Sequence, residues 1–170
     1  MMDGGGLAPL ELVEVGARVG ALLRERGEDV AVAEGAGGGL VSAALLAVPG
    51  ASVYYRGGAV IYTLAASRAF MAGAVEAPPG LRGATEEFAL WLARSVRARL
   101  ATTWSLGEGG AAGPSGNPYG DPPGHAWVAV SGPVERTQRV STGSADRSAN
   151  MAAFAVAGLA LLEDCLGARR

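Results

Sequence analysis

Residues 30–52 read VAVAEGAGGGLVSAALLAVPGAS and contain the strongest fold signal in the chain. A short apolar run ends at Glu34, and the next five positions, 35–39, are all glycine or alanine. An apolar stretch follows and closes at Pro49 and Gly50, a pair that is typical of a helix end. This order predicts a buried strand, a glycine-rich loop and a helix, which is the repeating unit of α/β proteins.

The rest of the chain extends this alternation of helices and strands. A helix is expected from Pro9 to Gly27, a third helical stretch from about Ser67, and a fourth helix capped by Thr85. Strands are expected at 57–63 and 102–106, a long loop at 107–125, a hairpin at 125–141, and an apolar helix after it. We therefore predict an α/β layered sandwich with a mixed sheet of about five to six strands flanked by helices, forming one domain over residues 9–170 after a frayed segment 1–8.

Composition excludes several kinds of chemistry. The 170 residues include 14 basic side chains, all arginine, so a lysine base or Schiff base is not available. The chain has a single cysteine, Cys165, which excludes an internal disulfide. It also has a single histidine, His125, which excludes a multi-histidine zinc site and leaves too few ligands for a Cys/His site. We expect no metal and no cofactor.

A net charge of −2 without a basic cluster predicts neither a nucleic-acid nor a membrane partner. No apolar run reaches the ~18–20 residues that span a bilayer, and we expect a cytoplasmic protein.

Two glycine-rich segments follow predicted strands and could hold a ligand. The first is Glu34 to Gly39, where free N–H groups before a helix could receive an anion; the second is the long loop 107–125. Both would lie at the carboxyl ends of strands, where open α/β sheets bind ligands. The alternative is that the glycines only let a helix pack closely on the sheet. The first segment has neither the P-loop pattern nor the dinucleotide-binding spacing.

Several separated segments together resemble one known family. They are AEGAGGGLVSAALLAVPGAS at 33–52, YYRGGAVIYT at 54–63, AAGPSG at 111–116, PPGHAWVAV at 122–130 and RSANMAAFAVAGLALL at 147–162. In this order they resemble the C-terminal domain of the competence/damage-inducible CinA proteins, from about residue 10 to 166. The resemblance implies an α/β fold, a homo-oligomer such as a dimer, and the hydrolysis of nicotinamide mononucleotide (NMN) to nicotinic acid mononucleotide and ammonia.

The resemblance fails at the positions that carry the family's chemistry. The family serine falls on Gly35 and the family lysine on Ser67, while two family threonines fall on Gly37 and Gly109. The positions that keep the family residue, and that the resemblance places around the ligand, are Glu34, Gly38, Gly39, Tyr62, Thr63, Ala112, Gly113 and Pro114. Gly35 and Gly37 would border the same ligand as backbone only.

Other side chains offer weak substitutes for the lost groups. Ser67, Tyr62 and His125 are candidate catalytic residues, as a Ser67–Tyr62 or a Ser115–His125 pair, and Ser42 carries a further hydroxyl. Their spacing favours none of these over a structural role.

Two charged residues also have open roles. Glu34 could bind ribose hydroxyls or cap the following turn. Arg56 could bind a phosphate or form a surface ion pair.

Three functions therefore remain open at this point. The first, which we favour because the family's serine and lysine are both replaced, is a divergent binding or regulatory module that keeps a nucleotide pocket, for a ligand such as NMN, and lacks the amidohydrolase reaction. The second is an active nicotinamide-nucleotide amidohydrolase with rearranged residues. The third is an oligomeric scaffold with no pocket.

Overall fold

The computed structural model describes residues 10–168. Five helices are present in this range: α1 Leu10–Arg26, α2 Leu40–Leu46, α3 Leu64–Met71, α4 Glu86–Leu100 and α5 Arg147–Gly167. Five strands are present: β1 Val30–Glu34, β2 Tyr55–Val60, β3 Trp104–Ala111, β4 His125–Ser131 and β5 Arg136–Ser141. The predicted frayed segment 1–8 lies outside the described residues.

The strands form one mixed sheet in the order β2-β1-β3-β4-β5. Strands β2, β1 and β3 run parallel, whereas β3, β4 and β5 are antiparallel neighbours. This arrangement confirms the predicted α/β class, the mixed sheet of about five strands and the late hairpin. The parallel half matters most for function, because it brings the ends of β1, β2 and β3 to the same edge.

Burial on both faces of the sheet explains why the first four residues of β1, 30–33, are all apolar. Val30 and Val32 belong to the core under α1, α2 and α5, while Ala31 and Ala33 belong to the core under α4. All five residues of β1 are buried, as expected for a central parallel strand.

Helix α4 approaches β3 so closely that one position of the strand must be glycine. A Cβ on Gly107 would lie 2.0 Å from the carbonyl oxygen of Ala89 and 2.7 Å from the nitrogen of Ala93. The small residues on the facing side of α4 allow the same approach. Gly107 therefore serves the packing of α4 on the sheet.

Within the described residues, α5 is the one helix long and apolar enough to cross a membrane by length and composition. Its side chains have another explanation, because Phe154, Leu159 and Leu162 are fully buried in contact with other core residues. The helix begins after Asp146, whose carboxylate accepts the N–H of Ala149. We therefore interpret α5 as a core helix.

Three predicted boundaries were wrong. Strand β3 continues to Ala111, so residues 107–111 are not part of a loop; they pair with β4, although glycine is a poor strand former. Strand β2 ends at Val60 rather than at residue 63. Helix α3 begins at Leu64, because the Thr63 hydroxyl accepts the N–H of Ala66 as an N-cap.

Candidate functional site

The loop between β1 and α2 is built around two buried carboxylates. Glu34 and Glu108 are register partners in the parallel pairing of β1 with β3, and neither side chain has any exposed surface. Oε2 of Glu108 accepts the N–H of Gly37 at 2.7 Å and that of Gly35 at 3.0 Å. The carboxylates therefore bind the loop from inside the protein.

Glu34 satisfies the start of α2. Its carboxylate accepts the N–H of Val41 and of Ser42, both at 3.1 Å, and the Ser42 hydroxyl at 2.8 Å. Of the two roles weighed for Glu34, the structure shows the cap. The Ser42 hydroxyl is engaged in the same interaction.

These contacts use N–H groups of the loop that an anion would otherwise receive, namely those of Gly35 and Gly37. The N–H groups of Gly38 and Leu40 bond to the carbonyls of Gly35 and Gly37. The remaining glycines serve the turn: Gly38 and Gly39 have φ of 66° and 102°, in the left-handed region. The protein's own acids therefore bind part of the loop in which the sequence predicted an anion site, and Gly35 and Ala36 are the loop residues that border the cavity described below.

Burial sets the protonation of Glu108. Desolvation raises the pKa of this carboxyl to about 7; the N–H of Gly37 acts to lower it, and the charge of Glu34 raises it. Its second oxygen, Oε1, has no hydrogen-bond partner among the described residues. Near neutral pH, Glu108 therefore exchanges between the carboxylate and the neutral acid.

A cavity of about 190 Å³ opens at the carboxyl ends of β1, β2 and β3. It is lined by Gly35, Ala36, Ile61, Tyr62, Thr63, Leu64, Ser67, Gly83, Ala84, Phe88, Gly109, Gly110, Asn117 and Tyr119. These lining residues include no acidic or basic side chain. The walls are mainly backbone, apolar groups and three aromatic rings, with a few hydroxyls and one amide.

The structure brings four of the predicted site residues to this cavity: Gly35, Tyr62, Thr63 and Ser67. The Ser67 hydroxyl makes no hydrogen bond within residues 10–168, and Thr63 caps α3. Tyr62 Oη accepts a hydrogen bond from Nη2 of Arg147 at 2.9 Å. Tyr62 and Ser67 therefore share a cavity, as the Ser67–Tyr62 hypothesis requires.

His125 does not border the cavity. Its Nε2 contacts the carbonyl oxygen of Ala84 at 3.0 Å, and its Nδ1 has no partner in the described part of the chain. Ser115 is exposed, and neither nitrogen of His125 bonds to it. The arrangement gives no support to a Ser115–His125 pair.

Arg56 is also separated from the cavity. Its Nε donates to Asp29 at 2.8 Å, at the amino-terminal ends of β1 and β2, the opposite edge of the sheet. The ion-pair alternative was therefore the right one for Arg56.

Three predicted ligand residues, Ala112, Gly113 and Pro114, frame the site without lining it. The Ala112 carbonyl accepts from Asn150, and the Gly113 carbonyl accepts from Nη1 of Arg147 at 2.7 Å. The Gly113–Pro114 peptide bond is cis.

Sequence reasoning missed five residues: Glu108, Phe88, Asn117, Tyr119 and Arg147. Glu108 had a usable signal, an acid within a glycine-rich run that follows an apolar strand start. The other four come from separate segments, and no local pattern connects them.

The fold and the cavity define a small α/β protein with a mixed five-stranded sheet and an uncharged site at the carboxyl ends of its parallel strands. The chain belongs to the CinA C-terminal domain family, whose profile matches residues 13–166. This confirms the resemblance drawn from the sequence.

Similar proteins agree on the family. A CinA-like protein of Salinibacter ruber is 37% identical over 148 residues, covering 86% of this chain and 36% of that protein. A CinA-like protein of Myxococcus xanthus is 39% identical over 132 residues, covering 74% and 30%. The chain thus spans about a third of the length of these curated relatives.

Solved structures agree on the fold. The competence damage-inducible protein A of Klebsiella pneumoniae subsp. pneumoniae has a TM-score of 0.85 at 25% identity, with 94% of this chain and 99% of that chain covered. The competence/damage-inducible protein of Agrobacterium tumefaciens has a TM-score of 0.85 at 24% identity, covering 95% and 99%.

Proposed function

We propose that this protein binds a pyridine nucleotide such as NMN in the cavity and lacks the amidohydrolase reaction that the family resemblance implies. One observation carries the proposal: Gly35 and Ser67, which replace the family's serine and lysine, border the same cavity. The space for a ligand is retained, while the groups expected to act on it are absent.

The chemistry explains why two replacements are enough. Amide hydrolysis by a covalent route needs an activated hydroxyl, a base to take its proton, and donors for the oxyanion. Gly35 supplies no hydroxyl, and none of the described residues that line the cavity carries a basic group. Losing a positioned base alone lowers such a rate by ~100-fold or more.

Arg147 is the better candidate for a ligand phosphate than Arg56. Its guanidinium lies between Tyr62 and the Gly113 carbonyl, at the rim of the cavity. Among residues 10–168 no carboxylate forms an ion pair with it, so its charge is available to an anion. In this proposal the pyridine ring enters the cavity and the phosphate stays at the rim.

A second candidate is an active amidohydrolase that uses Tyr62 and Ser67. The observation that favours it is the hydrogen bond from Arg147 to Tyr62 Oη, because it fixes the Tyr62 hydroxyl at the cavity that Ser67 also borders. His125 has no place in this scheme, since it bonds to Ala84 outside the cavity.

Ammonia release from NMN at high protein concentration separates the two candidates. We expect no release by the unaltered protein, while NMN raises its melting temperature. Release that is abolished by Ser67→Ala and by Tyr62→Phe would establish the second candidate and refute the first.

A restored variant makes the negative result informative. A Cβ on Gly35 would lie 3.3 Å from the Ile61 carbonyl oxygen, a contact that small shifts relieve, so Gly35→Ser should fold. We expect the double variant Gly35→Ser, Ser67→Lys to release ammonia. The double variant Gly35→Ser, Ser115→Lys, which places the lysine outside the cavity, should release none.

A homo-oligomeric state and a cytoplasmic location remain predictions of the sequence.

A further inference from the structure

The tip of the β3–β4 connection is a closed loop around one asparagine. Asn117 Oδ1 accepts the N–H of Tyr119 and of Asp121, both at 3.0 Å, and Asn117 Nδ2 donates to Asp121 Oδ2 at 2.8 Å. A backbone bond from Asn117 to the Asp121 carbonyl closes the segment at 3.1 Å. These contacts give the segment 117–121 a defined shape.

An ion pair joins this segment to the opposite wall of the cavity. Nη1 of Arg82, in the connection that precedes α4, donates to Asp121 Oδ2 at 2.7 Å. The guanidinium carbon of Arg82 also lies over the Tyr119 ring, 5.3 Å from its centroid. Arg82 therefore fixes both the loop and the ring that the loop presents.

The ring presented in this way is half exposed and borders the cavity. Tyr119 keeps 52% of its surface accessible, and it shares the cavity with Phe88 and Tyr62. The charge of Arg82 is balanced by that of Asp121. This side of the cavity therefore attracts a ligand through its aromatic surface rather than through net charge. Flat aromatic ligands stack on such rings, as nucleobases do on aromatic side chains.

We propose that Tyr119 is the specificity-determining residue of the cavity, selecting ligands that carry a planar aromatic ring, and that Arg82 and Asp121 are positioning residues that hold it. The proposal rests on the proposed function, since it names the part of the nucleotide that the cavity reads. It adds that a ligand with the same sugar phosphate and no ring is discriminated against at Tyr119.

The test compares the affinities of NMN and ribose 5-phosphate by calorimetry, with competition for the weaker ligand. We expect Tyr119→Ala to weaken the affinity for NMN at least fivefold and to leave the affinity for ribose 5-phosphate unchanged. Tyr119→Phe, which keeps an aromatic ring, should bind NMN as the unaltered protein does. Thermal unfolding of each variant confirms that it is folded.

The positioning residues are tested in the same assay. Arg82→Met should weaken the affinity for NMN by less than Tyr119→Ala does. In the Tyr119→Ala background it should cause no further loss of affinity, because the two changes remove the same interaction. Arg56→Met is the matched control, since Arg56 also pairs with an aspartate, Asp29, but at the opposite edge of the sheet.

The outcomes distinguish the two proposals. If NMN binds Tyr119→Ala as tightly as the unaltered protein, or if both ligands weaken equally, the role of Tyr119 is refuted and the proposed function stands. If NMN does not bind the unaltered protein, both are refuted.

Discussion

The Glu108 carboxylate fills the space that a side chain at Gly37 would need. A Cβ on Gly37 would lie 3.2 Å from Oε2 of Glu108 and also 3.2 Å from Oε2 of Glu34. The family resemblance places a threonine at this position. An exchange of Gly37 for threonine would therefore bring the new side chain against the Glu108 carboxylate.

This exchange predicts an energetic coupling between the two positions. Gly37→Thr should destabilise the protein by about 1–3 kcal/mol, because the new side chain meets the buried carboxylates. In a Glu108→Ala background the same change should cost at least about 1 kcal/mol less. Urea unfolding of the four proteins measures the coupling.

A matched control uses the neighbouring glycine. Gly35→Ser contacts the backbone of Glu108 and Ile61 but not the Glu108 carboxylate, so its cost should be equal in both backgrounds. If Gly37→Thr lowers the free energy of unfolding equally in both backgrounds, its side chain does not meet the Glu108 carboxylate and the prediction is wrong.

Glu108 also predicts a pH dependence of stability. Its pKa is about 7 in the folded protein and 4.5 in an unperturbed chain, so the folded state holds the proton more tightly. The stabilisation is fully present below pH 4.5 and is lost as the pH rises through 7, on the order of 3 kcal/mol in total.

Glu108→Gln should remove this loss, because the amide stays neutral. The free energy of unfolding of the variant relative to the parent should rise from pH 5 to pH 8. Glu87→Gln, an exposed acid on α4, controls for the loss of a charge and should keep the decline. Parallel curves for Glu108→Gln and the parent would exclude the raised pKa.

Close packing of α4 on the sheet predicts opposite results at two glycines. Gly107→Ala should cost about 3 kcal/mol or prevent folding, because its Cβ would overlap the Ala89 carbonyl. Gly83→Ala should change stability by less than about 1 kcal/mol, since nothing lies within 4 Å of its Cβ and its φ is not left-handed. Soluble yield and urea unfolding measure the stability of both variants. A stable Gly107→Ala variant would show that α4 can shift away from the strand.

The charge of Arg147 is expected to contribute an electrostatic part of the affinity for the ligand. Arg147→Met should weaken NMN about tenfold or more, through loss of a charge-assisted bond to the phosphate, and should reduce the salt dependence of the affinity. Calorimetry at low and high ionic strength measures both effects, with Arg56→Met as the control at the opposite sheet edge. An unchanged affinity would place the phosphate elsewhere.

Local signals were enough to predict much of the fold. Thr85 was correctly predicted to cap α4, and its hydroxyl accepts the N–H of Phe88. Apolar periodicity and glycine-rich turns are encoded within a few residues, so the α/β order could be read from the sequence. The end of β3 could not be read, because Gly109 and Gly110 are in a strand only through pairing with β4.

The candidate site shows the same limit more strongly. The sequence indicated that Gly35 and Ser67 had lost the family's reactive groups, because residue identity at a matched position needs no coordinates. It could not show that Glu108 binds the N–H groups of Gly35 and Gly37, because these contacts cross more than 70 residues and depend on the register of β1 with β3.

The sequence by itself determined the α/β class, the family and the absence of lysine chemistry, since these depend on composition and local order. Only the tertiary structure decided that Arg147 rather than Arg56 contacts Tyr62 of the cavity, and that Tyr119 borders the cavity. Side chains far apart in the chain meet only where strand pairing and helix packing place them, and no local pattern encodes that distance.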